Sequence, residues 1–280
     1  MLLFKGPRDQ ILEPLQAVCG IVEKRHTLPI LSNVLMEKEG NQLTLLATDI
    51  EIQIKTSTGA ASGDKVALTV AARKLQDILR SLAEDAEVSL TLDEKRLQVK
   101  AGRSRFNLQT LPAEDFPRML LSDANQTRLK LSQKQFKRLL ALVQYAMAQQ
   151  DIRYYLNGLL LLVKGNEICV VATDGHRLAY ARETLAEQLP SIEVILPRKT
   201  VIELSRQLQE NDDALEIALT PTQAQFRFGT IEFVSKLIDG KFPDYDRVIP
   251  KTHDKLVMLS RQILLQSLQR AKILTNEKTP

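Results

Sequence analysis

Asp174, His176 and Arg177 stand close enough in the chain to suggest acid–base chemistry. Residues i and i+2 of a strand share a face, so an Asp174–His176 pair is conceivable. The Asp174-Gly175 step argues instead for a turn that joins two strands. No Gly-x-Ser-x-Gly elbow occurs, and neither Cys19 nor Cys169 has a second histidine near it. His26, His176 and His253 lack metal-ligand spacing, and there is no glycine-rich phosphate loop. We therefore expect no catalytic residue, no metal, no cofactor and no enzyme.

Cations offer a second kind of chemistry. Arg25 goes with Arg73 and Lys74, and Lys134, Lys137 and Arg138 go with Arg198 and Lys199; Arg261, Arg270 and Lys272 continue the series. Recurring positive charge without a base-reading motif suits phosphates rather than base edges. Arg73 and Lys74 fall in the first turn of a helix, against the positive end of its dipole. That placement hints at an anionic partner, although a plainly solvated face accounts for it equally well.

Composition bounds both readings. A length of 280 residues suits about two domains, and 44% hydrophobic with 26% charged residues is ordinary for globular cores. The net charge of +4 makes any nucleic-acid surface local. No apolar run approaches the roughly 20 residues of a membrane span, and Met1-Leu2-Leu3-Phe4-Lys5 is too short for a signal peptide. Both cysteines sit among apolar residues, as reduced core thiols of a cytoplasmic protein do.

The elements that must position these residues recur. The spacing of Ile11, Leu12, Leu15, Val18, Cys19 and Val22 predicts a helix over 8–23, with Pro14 tolerable only near its first turn. Strands are expected at Val34–Met36, Leu43–Ala47, Ile50–Ile54 and Val66–Val70, then a helix over 71–82 carrying Leu75, Ile78, Leu79 and Leu82. Alternation predicts strands around Leu90, Val99 and Leu108, and residues 122–127 read as a linker. The order then restarts, with Ser132 capping a helix that carries Phe136, Leu139, Leu140, Val143 and Met147. Strands follow at Leu159–Val163, Ile168–Ala172, Leu178–Ala181 and Val194–Leu196, a helix with Val201, Leu204 and Leu208, and strands around Ile217, Phe226 and Phe233.

Three landmarks repeat in one order. Ala47-Thr48-Asp49 and Ala172-Thr173-Asp174 are offset by 125 (173 − 48), as are Arg73-Lys74 and Arg198-Lys199 (198 − 73). Phe116-Pro117 and Phe242-Pro243 are offset by 126 (242 − 116). Leu259-Ser260 starts a third copy whose helix would carry Leu264, Leu268 and Ala271. A lone amphipathic helix cannot bury its stripe, so the expectation is a chain that stops inside a third domain.

Longer motifs carry a resemblance. Gln150–Gly158, Ala172–Leu178, Pro197-Arg198-Lys199 and Asp239–Tyr245 together resemble the bacterial sliding clamp, the beta subunit of DNA polymerase III. Leu28–Leu31, Gly102–Phe106 and Ile273–Lys278 match it too, along the whole chain. The resemblance implies an α+β fold: tandem repeats of the DNA-clamp fold, two helices on antiparallel sheets per domain, with clamp domains at 1–121 and 127–250 and an incomplete third at 255–280. It implies a ring that encircles duplex DNA without regard to sequence and tethers the replicative polymerase.

The implied partners are the polymerase III catalytic subunit, a clamp loader, and other polymerases and repair proteins with short linear motifs. The full-length protein would be a homodimer, with no membrane partner, and this chain mostly monomeric. The implied peptide pocket comprises Leu156, Thr173, Gly175, His176, Arg177, Leu178, Pro243, Arg247 and Val248. Implied DNA-facing residues are Arg25, Arg73, Gln149, Gln150, Tyr154, Tyr155, Arg198 and Lys199. Lys74, Ile78 and Phe106 would form one side of the dimer interface, and Ile273 and Leu274 the other; by alternation alone Phe106 is a core strand residue. The alternative, a single-stranded DNA-binding or recombination accessory protein, calls for aromatic stacking platforms. Only 5% of residues are aromatic and none is Trp, which counts against it.

Overall fold

The computed structural model describes residues 1–23, 28–60, 64–120 and 126–274. Two compact units divide the chain, Met1–Phe242 and Pro243–Pro280.

The first repeat starts with strand β1 (Leu2–Pro7) and helix α1 (Arg8–Cys19). Strands β2 (Asn33–Glu39), β3 (Gln42–Thr48), β4 (Ile52–Gly59) and β5 (Val66–Ala71) follow. Helix α2 (Ala72–Ser81) precedes β6 (Glu87–Asp93), β7 (Arg96–Ala101) and β8 (Ser104–Leu111). The second repeat runs β9 (Thr127–Ser132), α3 (Gln133–Val143), β10 (Gly158–Thr173), β11 (Leu178–Pro197) and α4 (Arg198–Gln207). It ends with β12 (Ala214–Leu219), β13 (Gln223–Phe228) and β14 (Ile231–Lys236). Helix α5 (Arg261–Lys272) belongs to the second unit, and none of its residues is buried.

The helical stripes read from the sequence face the core: Ile11, Leu15, Leu75, Leu79, Phe136, Leu140, Val201 and Leu204 are all fully buried. Ser132 caps α3 as expected, and its neighbour three residues on completes the box. Gln135 N donates to Ser132 Oγ at 3.2 Å, and Ser132 N donates to Gln135 Oε1 at 2.9 Å.

Pro14 breaks the expectation, for it lies in the interior of α1 rather than its first turn. Its missing N–H leaves the Gln10 carbonyl without a helical donor. The Thr58 hydroxyl supplies one at 2.9 Å, which is how the helix tolerates the ring.

The four short strands expected between 159 and 196 are in fact one long hairpin of β10 and β11. Its register shifts on either side of Gly165, a glycine at φ +61°. An irregularity there bends the strands without ending them, so a polar interruption in the sequence mimics a turn. Ile50 is another correction, since it sits at φ +76° in a turn and β4 begins only at Ile52. Of the expected linker, residues 122–125 lie outside the described residues, and Thr127 already opens β9.

Among the described residues, twelve strands form one antiparallel array in the order β1-β6-β7-β8-β5-β2-β3-β4-β14-β13-β12-β9. The two repeats therefore share a sheet, joined where β14 pairs with β4 from Glu232↔Lys55 to Ser235↔Ile52. One row of side chains crosses that seam with alternating sign: Lys130, Glu216, Arg227, Glu232 and Lys55 stand opposite one another in turn. Opposite charges at facing positions favour this register over its neighbours. The connector after β8 lies down on the first repeat, where Ala113 and Phe116 pack against Leu35 and Leu46. The buried Gln53 side chain receives Met119 N at 2.8 Å and donates back to Met119 O at 3.2 Å.

Candidate functional site

The two Thr-Asp turns are the same structure, bond for bond. In the first, Thr48 Oγ1 donates to Ile52 O at 2.8 Å and accepts from Ile50 N at 3.0 Å. Asp49 Oδ1 accepts from Glu51 N at 2.9 Å and Ile52 N at 2.6 Å. In the second, Thr173 Oγ1 donates to Arg177 O at 2.7 Å and accepts from Gly175 N at 3.1 Å. Asp174 Oδ1 accepts from His176 N at 2.9 Å and Arg177 N at 3.0 Å. The residue after each Asp has positive φ, +76° at Ile50 and +89° at Gly175.

These bonds replace the backbone pairing lost at the turn. Asp174 is therefore committed to backbone rather than to acid–base work with His176, whose side chain is exposed. Partial burial of Asp174 disfavours its charge, but the His176 and Arg177 amides outweigh that and hold it below the usual carboxylate range.

A loop is fastened to the second turn by Arg153. Asp151 and Asn157 close the loop, with Asp151 N donating to Asn157 Oδ1 at 2.9 Å and Asn157 Nδ2 to Asp151 O at 2.8 Å. Arg153 donates to both oxygens of Asp151, from Nε at 3.0 Å and Nη2 at 2.8 Å, and Nη2 also reaches Asp174 O at 3.3 Å. A Cβ on Gly175 would lie 3.2 Å from that Nη2, so glycine serves both the positive φ and the arginine. Arg177 in turn pairs with Asp174 Oδ2 at 3.1 Å and stands 5.8 Å from the centroid of the Tyr145 ring.

Leu156 is buried beneath this loop end and Leu178 is half-buried beyond the turn. Thr173, Gly175, His176, Arg177 and Leu178 thus belong to one turn, tied through Arg153 to the loop that carries Leu156. In the second unit, Pro243 is exposed, Arg247 Nε pairs with Asp244 Oδ2 at 2.8 Å and Val248 is 67% exposed.

The Arg153 hydrogen bonds hold the Asp151 carboxyl down at about 2. A carboxylate depressed in the folded state stabilises above its unfolded value, near 3.9, and loses that contribution as pH falls through the folded value. The loop is thus expected to stay closed at pH 4 and to open only as pH nears 2, whereas Asp151→Asn opens it at neutral pH. Protection of the Arg153 Nε–H resonance across an acid titration checks this.

The expected DNA-facing residues converge only in part. Gln149, Gln150, Arg198 and Lys199 line one groove of about 450 Å³ with Gly20, Ile21, Ile202 and Glu203. Tyr154 is 58% exposed, with its ring centroid 5.8 Å from that of Tyr155. Arg73 donates to Val22 O from Nε at 3.1 Å and Nη2 at 2.5 Å. Arg198 makes the repeated bond, from Nη1 to Met147 O at 3.3 Å. Both arginines therefore also tie their helix to the preceding connector.

Lys199 differs, for it reaches across to the first repeat and pairs with Asp49 Oδ2 at 2.5 Å and Glu23 Oε1 at 2.7 Å. Burial works against its charge, but the interactions with Asp49 and Glu23 outweigh it, so the ammonium titrates above the ordinary lysine range. Arg25 lies outside the described residues. Sequence reasoning assigned no role to Asp49, Glu23, Asp151, Arg153 or Asn157. The Asp151-x-Arg153 spacing was a signal for two of them, and nothing local marks Glu23.

Of the interface candidates, Lys74 is exposed while Ile78 and Phe106 are half-buried against the core. Strand β8 is paired along its length with β7, but its ladder with β5 covers only Leu111 and Thr110. Phe106 faces Val99 just as Phe233 faces Phe226 in the second repeat, so β8 and β14 are counterparts. In the second unit, Ile273 and Leu274 are 79% and 91% exposed.

Among the described residues no helix is long and apolar enough to cross a membrane, and no group of three or more His, Cys, Asp or Glu is placed to hold a metal ion. Cys19 and Cys169 are free and buried, and burial pushes the Cys19 thiol up to about 12.

Comparison with known proteins places this geometry. Residues 2–120 match the N-terminal domain of the DNA polymerase III beta subunit, and residues 130–244 match its central domain. The beta sliding clamp of Pseudomonas putida is 47% identical over an alignment 280 residues long, gaps included, that covers 98% of this chain and 75% of that protein. That of Escherichia coli K12 is 44% identical over 277 residues, again 98% and 75%. A crystal structure of the Pseudomonas aeruginosa subunit superposes with a TM-score of 0.93 at 45% identity, covering 99% of this chain and 75% of that one. A sliding clamp from the same organism, bound to griselimycin, gives a TM-score of 0.94 with the same identity and coverage.

The single-stranded DNA-binding alternative finds no support in these relatives. Two matching domains with duplicated turns and an edge-to-edge sheet make this chain a member of the DNA polymerase III beta subunit family, the DNA sliding clamps of the replicative polymerase.

Proposed function

We propose that the chain supplies consecutive sections of a closed ring around duplex DNA and tethers the polymerase III catalytic subunit by a short apolar peptide. The observation that carries this reading is the junction between repeats. Strand β14 is covered at its edge by β4, while its counterpart β8 leaves Ser104–Gln109 paired on the β7 side alone. An uncovered edge accepts another strand. A subunit of the relatives' full length therefore closes head to tail on a second copy, with Phe106, Ile78 and Lys74 on one side and Ile273 and Leu274 on the other.

Arg73, Arg198, Gln149, Gln150, Tyr154 and Tyr155 face the hole and meet phosphates. The ring makes and breaks no bond; a loader opens it. Topology then holds the ring on DNA while weak, screened contacts let it slide. Tethering raises the polymerase's effective concentration at the primer end.

The peptide site is the Arg153-braced turn with Leu156 and Leu178 beside it, and other polymerases and repair proteins compete for it. A Caulobacter crescentus clamp has been crystallised with polyethylene glycol bound to a region proposed to tether the beta motif, which supports a ligand-accepting groove in the family. Leu178→Ala is expected to weaken binding of a polymerase-tail peptide about tenfold or more, the scale of losing an apolar anchor contact. Calorimetric titration checks it, and unchanged affinity in Leu178→Ala would displace the site.

A further inference from the structure

The bonds across the seam between the two repeats fall into two groups. One group follows a line. The β14–β4 ladder, Lys236 N donating to Glu51 O at 2.8 Å, and the Thr56–Thr230 hydroxyl pair at 3.0 Å all lie along the paired strands. Such a short two-strand junction holds its register but bends and twists readily about its own axis. Only contacts off that line can set the angle between the repeats.

Among the described residues, two bonded ties of the second group come from α4, whose Arg206 also packs against Gly20. Gln207 Nε2 donates to Ala17 O at 2.6 Å near the end of α1. At the other end of α4, Lys199 pairs with Asp49 and Glu23.

The Asp49 partner is prepared for this. Its Oδ1 is fully engaged by the amides of Glu51 and Ile52. Its Oδ2 is left with Lys199, and its side chain is only 5% exposed. A buried carboxylate without its cation is costly, so the pair is hard to break once the repeats have docked. A lysine spent this way is poorly placed to meet phosphate as well.

We propose that Asp49, Lys199 and Glu23 form an interdomain latch that fixes the bend between the two repeats. Lys199 is accordingly a positioning residue of the clamp and not one of its phosphate contacts. The latch itself stands independently of the DNA-facing assignment above; only the statement about phosphate rests on it.

The test uses spin labels at Lys95→Cys in the first repeat and Asp212→Cys in the second, with the buried native cysteines left in place. The distance distribution between them is expected to broaden in Lys199→Met and in Asp49→Asn, to broaden no further in the double variant, and to stay narrow in Lys199→Arg. Glu23→Gln, at the more exposed end of the cluster, broadens it less and serves if the first variants fail to fold. In parallel, the salt dependence of duplex binding is read by anisotropy. Loss of one phosphate contact lowers the slope of log K against log salt by ~0.9, and the latch predicts no such drop for Lys199→Met. A distribution unchanged in every variant overturns the latch. A drop of ~0.9 in Lys199→Met but not in Asp49→Asn overturns the positioning role. A failure of wild-type protein to bind duplex counts against the DNA-facing assignment and leaves the distances to decide on the latch.

Discussion

Phe233→Ala is expected to destabilise the protein by about 3–5 kcal/mol, the range for emptying a packed aromatic site. Phe233 is fully buried, and the Phe226 ring beside it stands 6.0 Å away edge-on and 5.8 Å from Phe136. The cavity would open directly beneath the strand that joins the repeats, where β14 carries Phe233 opposite Ile54. Each kcal/mol shifts the melting temperature by roughly 2–4 °C at this size, so scanning calorimetry should show a drop of roughly 10 °C. Phe106→Ala is the internal control. It occupies the counterpart position but is half-buried, so it should cost less than half as much. Equal losses would mean that the outer side of β8 is core and has no edge to offer a second copy.

Duplex binding is expected to be blind to sequence and steep in salt. The proposed contacts are Arg73 and Arg198 in first helical turns with polar and tyrosine side chains beside them, a set suited to phosphates rather than to base edges. Each phosphate contact contributes ~0.9 to the slope, so about four contacts lose roughly a hundredfold in affinity between 50 and 200 mM salt. Anisotropy with two unrelated duplexes measures both properties. A clear preference for one duplex at fixed salt would remove the sliding interpretation.

Periodicity was a reliable guide wherever burial alone decides. Leu75 and Leu79, or Phe136 and Leu140, recur at helical spacing because each helix hides one stripe, and all four are buried as that spacing requires. The repeat was legible for a related reason. Thr48 and Asp49 cannot be exchanged without losing four bonds to backbone, so the turn keeps its spelling in Thr173 and Asp174.

The failures have equally local causes. Pro14 was misread because Thr58, the donor that rescues it, is remote in sequence. The 158–197 hairpin was split because Gly165 bends a strand in the same residues that could end one. At the candidate site the exposed residues of the Asp174 turn were within reach, but Lys199 was not. An exposed cation and one answered by Glu23 are indistinguishable until the chain has folded.

The two matched turns have a consequence for how such a chain can grow. Copying a domain copies its unfilled bonding capacity along with its shape, and each turn carries one carboxylate oxygen that its own backbone does not use. In the first copy the vacancy is filled from outside, by Lys199 of the following repeat. In the second it is filled from within, by Arg177. A domain added after the second repeat could form the same joint only by displacing that arginine. Duplication alone therefore yields a row of like parts whose matching carboxylates are answered differently, the first by the following repeat and the second by its own turn.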